Sequence, residues 1–164
     1  MRFRKGRLFM NVSISKKAEL FYKALEDIWS AEQLWRGCPN NAVWHCTQAA
    51  EKIMKGFLKC FNRDFDFSHE LKELLDAVFD VASVTPDTTE YINYLSRFKS
   101  GLRYKNMSTD PTIDDARVAI SRTKYIMQEF RHNPVVTELV KEAEEVHIKI
   151  LSVSMQETPD SSAG

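Results

Sequence analysis

The stretch from Asn41 to Asn62, NAVWHCTQAAEKIMKGFLKCFN, constrains the fold more than any other part of the chain. Ala42, Cys46, Ala49, Ala50, Ile53, Phe57, Cys60 and Phe61 recur every three or four positions, which puts them on one face of a single long helix. Such a face must be buried. The other side carries His45, Gln48, Lys52, Lys55 and Lys59 at the same spacing, a row rich in nitrogen donors that water or an anionic partner could satisfy. Within this stretch Glu51 and Lys55 are spaced for an i,i+4 pair, worth about 0.2–0.5 kcal/mol on a solvated helix.

A chain of 164 residues, 43 % of them hydrophobic, has the size of one compact domain and folds without a metal or disulfide staple. Its apolar runs are far shorter than the roughly 20 residues of a membrane span. Cys38, Cys46 and Cys60 are an odd set with no Cys-x-x-Cys spacing, so they read as reduced, buried thiols rather than a zinc site. The zero net charge is unevenly spread: residues 1 to 62 hold eleven Lys/Arg against five Asp/Glu, and the remainder twelve against eighteen. A neutral total can therefore hide a basic patch able to hold phosphate.

In chain order, MRFRKGRLFMNVSI is basic but has no apolar segment of the secretory kind, so a cytoplasmic location is expected. It reads as a disordered tail or a start upstream of Met10, with a nucleic-acid arm as the alternative. Ser15 is placed to cap a first helix with face Ala18, Phe21, Leu25, Ile28, Trp29 and Trp35, joined through Cys38, Pro39 and Asn40 to an antiparallel neighbour. RDFDF is expected to be a loop whose aromatics fold back on the core. Ser68 is placed to cap a third helix, Asp87 with Glu90 to start a fourth, and Thr112 with Asp115 a fifth. A sixth follows Asn133–Pro134, and QETPDSSAG has the composition of a disordered tail. No alternation is long enough for a strand.

Catalytic signatures such as a phosphate-binding glycine loop or His-Glu-x-x-His are missing. His45, His69, His132 and His147 are scattered over different elements and read as capping or surface residues. The segment Arg97 to Lys105, RFKSGLRYK, has four cations and no acid. Arg103 is suited to bidentate contact with phosphate, with Tyr104 beside it to stack; pairing of Arg103 with Asp110 or Asp114 is the structural alternative.

The run Ala49-Ala50-Glu51-Lys52-Ile53-Met54-Lys55, then His69-Glu70-Leu71, then Arg103-Tyr104 before a fifth amphipathic helix, resembles the HEPN domain over about residues 15 to 131. The resemblance implies an all-α, up-and-down bundle of about five helices, here with an appended C-terminal helix. With the ends read from their composition, the chain divides into a basic arm (1–14), a HEPN-like domain (15–154) and a tail (155–164). Many members are metal-independent ribonucleases marked by an arginine, four to six residues and a histidine, brought together in a dimer. Here Ser108, Thr109 and Asp110 stand where that histidine would follow Arg103, and Arg97, Arg117, Arg122 and Arg131 also lack one.

The expected function is thus a non-catalytic homodimeric module that binds a nucleotide or nucleic-acid phosphate, or accompanies a nucleotidyltransferase partner. It uses no cofactor and no metal. The expected ligand residues are Gln48, Lys52, Lys55, His69, Arg103 and Tyr104. The alternatives are an atypical, toxin-like ribonuclease using Arg103 with Tyr104 or His69, and a purely structural interaction domain.

Overall fold

The computed structural model describes residues 3–5, 8–10, 12–101 and 110–156. Six helices carry the fold: α1 (Glu19–Leu34), α2 (Pro39–Cys60), α3 (Leu71–Phe79), α4 (Pro86–Gly101), α5 (Ile113–His132) and α6 (Thr137–Gln156). Ahead of them, β1 (Phe3–Lys5) and β2 (Leu8–Met10) pair antiparallel with Phe3 opposite Met10 and Lys5 opposite Leu8. The sequence reading found no strand there, because three residues per strand are too few for alternation to register.

The helix α2 is the axis of the bundle, in contact with α1, α3, α4 and α5. Proline at its first position loses no hydrogen bond, since that N–H has no acceptor in a helix anyway. With neighbours on several sides its burial extends beyond one face. Val43, Thr47, Met54 and Leu58 are buried along with the expected stripe. At its far end Asn62 takes a left-handed φ of 56°, a conformation asparagine tolerates. That lets the N–H groups of Arg63 and Asn62 donate to the carbonyls of Leu58 and Lys59 at 3.1 Å each, closing the helix.

Gly56 sets the approach of α1 to α2. A Cβ built there would stand 3.0 Å from Phe21 Cζ and 3.3 Å from Leu20 Cβ. The buried face of α1 is Phe21, Tyr22, Ala24, Asp27, Ile28 and Ala31, turned away from the expected one, with Trp29 left 41 % exposed. Periodicity missed this because Tyr22 and Asp27 carry polar groups that the structure satisfies: Tyr22 donates to Glu26 at 2.8 Å, and Asp27 meets partners on α2.

Helix starts follow two schemes. At α5 the local scheme holds: Thr112 and Asp115 exchange side-chain and backbone hydrogen bonds in a capping box. At α4, and at the turn ahead of α1, the acid comes from a distant helix; Ala18 rather than the expected Ser15 is the N-cap of α1, and Ser15 holds the turn before it. Ser15 N–H and Oγ–H donate to Glu142 of α6 at 2.6 and 2.7 Å, and Thr85 N–H and Oγ–H donate to Glu129 of α5 at 2.6 Å each. The expected Asp87/Glu90 start is thereby displaced: Thr85 Oγ accepts from Thr88 N–H, and Glu90 turns to Arg122. Ser68 does not cap α3, which begins after Glu70; its hydroxyl donates to Glu73 at 2.7 Å. α6 lies on α1 and α5 of its own chain.

Candidate functional site

The polar row of α2 is organised around two carboxylates. Asp27 of α1, with a side chain 10 % exposed, receives His45 Nδ1 at 2.8 Å on one oxygen and the Lys52 ammonium on the other. Along α2, Glu51 is 7 % exposed and receives both Lys55 Nζ and His69 Nδ1 at 2.9 Å. Lys55, 8 % exposed, also donates to the Asp66 carbonyl at 3.2 Å. Each acid is thus held by one lysine and one histidine. The reading of Glu51 and Lys55 as a solvated surface pair is corrected: the bundle covers both, and low dielectric makes them matter more than an exposed pair.

A carboxylate only accepts hydrogen bonds, so each imidazole places its proton on Nδ1 and keeps Nε2 for another partner. In chemical terms these are oriented imidazoles on buried acids. His45 is further held edge-on to Trp44, with ring centroids 5.0 Å apart. His69 is 67 % exposed at the surface.

The expected ligand set therefore divides. Lys52, Lys55 and His69 are brought to two neighbouring acids, and their donors are directed into those acids. Gln48 sits half-buried on α2, in the stretch between His45 and Lys52. Arg103 and Tyr104 lie outside the described residues, as does the stretch 102–109. Lys59, at the end of the row, bridges to Asp66 at 2.9 Å and helps hold that exposed carboxyl below its usual range.

The sequence reading missed Asp27, whose partners are 18 and 25 residues away; no local spacing signals it. It also passed over one arginine that meets the family's count: Arg63 is followed by five residues and then His69. The structure sends the pair to different acids, Arg63 to Asp80 at 2.8 Å and His69 to Glu51. Of the loop aromatics between them, Phe65 packs on the core and Phe67 is 97 % exposed, contrary to expectation.

A third cluster lies where α4 meets α5, at the threshold of the cationic segment. The Arg122 guanidinium stands 4.8 Å from the Tyr91 ring and 4.3 Å from the Tyr94 ring, and pairs with Glu90 at 3.4 Å. Arg97 stacks over Tyr94 from another position, at 4.7 Å. Burial raises the Tyr94 hydroxyl pKa above its ordinary value, so the ring stays a neutral platform for both cations.

Among the described residues no group of three or more His, Cys, Asp or Glu side chains could hold a metal ion, and no helix is long and apolar enough to cross a membrane. The thiols differ in setting: Cys46 is buried and pushed up to about 12 by desolvation, Cys60 is half-buried, and Cys38 is exposed, contrary to the expectation of burial.

The family model for the HEPN domain matches residues 18–133, which runs from the start of α1 to the end of α5. The chain belongs to the HEPN domain family. The all-α bundle with an appended C-terminal helix is the HEPN architecture, and α6 lies beyond the matched segment. Comparison with curated proteins and comparison with solved structures each gave no match.

Proposed function

We propose that this HEPN chain is a non-catalytic, homodimeric binding module, which holds the phosphate of a nucleotide or nucleic acid, or stands beside a nucleotidyltransferase-type partner. The observation that supports this best is Arg97. It is exposed, stacked on Tyr94, and has no carboxylate partner among the described residues, whereas Lys52 and Lys55 are already held by acids. A guanidinium placed over a ring face still has N–H donors to offer a phosphate. From Arg97 the cationic segment continues through Lys99 to Arg103, Tyr104 and Lys105.

The test is a thermal-shift series with ATP, GTP, inorganic phosphate and a short RNA at low and moderate salt. A ligand that binds only the folded state raises Tm with its saturation, and salt weakens phosphate contacts. The reading expects a nucleotide or RNA shift that Arg97→Ala reduces and Arg103→Ala abolishes. No shift with any of the four removes it.

The exposed His69 on buried Glu51, with Arg63 six positions before it, favours the atypical ribonuclease as a second reading. Metal-independent RNA cleavage abolished by His69→Ala would replace the first reading with this one. Absence of cleavage by the wild type excludes it.

A further inference from the structure

Between the approach to α1 and the last turns of α2 lies a cleft of about 500 Å³ that the family comparison does not assign. Four lysines line it, Lys16, Lys17, Lys23 and Lys59, against one acid, Glu19. Two of these cations are engaged at the rim: Lys23 by Glu19 at 3.0 Å, and Lys59 by Asp66 at 2.9 Å. Lys16 and Lys17 are exposed and have no carboxylate partner among the described residues. The positive end of the α1 backbone dipole adds to the same field.

The field has two witnesses in the cleft. The Glu19 carboxyl is held below its ordinary range, first by its hydrogen bond from Lys23 and also by the charge of Lys16. The Cys60 thiol is raised by burial, with Lys17 pulling in the opposite direction. The floor is of another character. It consists of Leu20, Gly56 and Cys60, where α1 packs so closely on Gly56 that a Cβ there would stand 3.3 Å from Leu20 Cβ. No aromatic or amide side chain lines it, so nothing there stacks on or reads a nucleobase.

We propose that this cleft binds a small anionic amphiphile, an oxyanion head of the phosphate or carboxylate kind on a short aliphatic body. The head sits between Lys16 and Lys17, where lysine ammonium groups act as unpaired point charges. The body lies on Leu20, Gly56 and Cys60. The volume falls within the roughly 300–1,000 Å³ of ordinary ligand pockets. This site is separate from the Arg97 segment and does not depend on it.

Cys60 in the cleft and exposed Cys38 outside it make the test internal to one molecule. The full chain is treated with 2-sulfonatoethyl or 2-(trimethylammonio)ethyl methanethiosulfonate at low salt, and modification at each cysteine is followed by peptide mass spectrometry. The anionic reagent should be preferred at Cys60 over Cys38 by about tenfold, the lower end of what a focused field supplies. The double variant Lys16→Ala/Lys17→Ala, at exposed positions, should lose that preference. Hexyl phosphate and hexanoate should then protect Cys60 but not Cys38, while inorganic phosphate and hexanol protect weakly; whichever of the two amphiphiles protects better names the head group. Protection should persist in Arg97→Ala. Equal reagent preference at the two cysteines, or no protection by either amphiphile, overturns the proposal.

Discussion

Asp27 and Glu51 show the same chemistry in two settings, and the difference lies in who can reach water. Around Asp27 both partners keep partial access, Lys52 being 27 % exposed and His45 23 %. Around Glu51 the division is uneven: Lys55 is as buried as the acid, at 8 %, while His69 is 67 % exposed. The first cluster fastens α1 to α2. The second fastens α2 to the loop before α3 and hides a lysine charge that has little else to turn to. Identical partners thus give an adjustable joint in one place and an obligatory one in the other.

Breaking the obligatory joint should have the largest effect. Glu51→Gln leaves the Lys55 ammonium buried without its counter-charge, and should destabilise by about 3–5 kcal/mol in urea denaturation. Replacing both, as Glu51→Leu with Lys55→Met, removes the desolvation cost along with the attraction, and should restore most of that loss. If the double variant is as unstable as the single one, burial of the pair is not what separates the two clusters. Gly56→Ala, which forces a methyl against Phe21, should cost about 1–3 kcal/mol by overpacking. Asp27→Asn should cost less than Glu51→Gln, about 1–2 kcal/mol, because Lys52 can turn to solvent. His69→Ala should stay below about 1 kcal/mol, as befits an exposed partner.

The smallest effect sharpens the comparison with an imidazole that has no acid. His147 of α6 lies edge-on to Tyr22, ring centroids 6.0 Å apart, with Nδ1 buried and unpartnered. Desolvation lowers its pKa from 6.5, outweighing the opposing charges of Glu26 and Glu32. Below 6.5 the unfolded chain therefore binds this proton more readily than the folded one. The contribution is intact above that pH and declines as pH falls toward the lower folded value. His147→Phe should flatten this part of a stability-against-pH curve measured from pH 7.5 downward.

The helices were legible because each keeps an apolar stripe long enough to show its period, and Thr112 with Asp115 could be read as a cap because both partners sit within one turn. What stayed hidden depended on residues far apart in sequence. Asp27 looks like any polar residue of α1 until α2 brings His45 and Lys52 to it. Glu129 and Glu142 look like solvated charges until they reach Thr85 and Ser15. The rotation of α1 was misjudged partly for the same reason: Asp27 is buried only because α2 brings His45 and Lys52 to it, whereas Tyr22 finds Glu26 within its own helix. The Arg63/His69 spacing was visible in the letters, but that each would face a different acid was not.

The bond between Ser15 and Glu142 spans 127 residues. During synthesis the chain emerges at about 5–20 residues per second, so Ser15, in the turn ahead of α1, waits on the order of ten seconds before its acceptor leaves the ribosome. Until then the first helix can lean on α2, yet the N–H of Ser15 ahead of it must make do with water. The bundle is closed by α6, and a nascent chain halted before Glu142 would present an unlatched turn ahead of α1 to whatever chaperone or protease stands nearby.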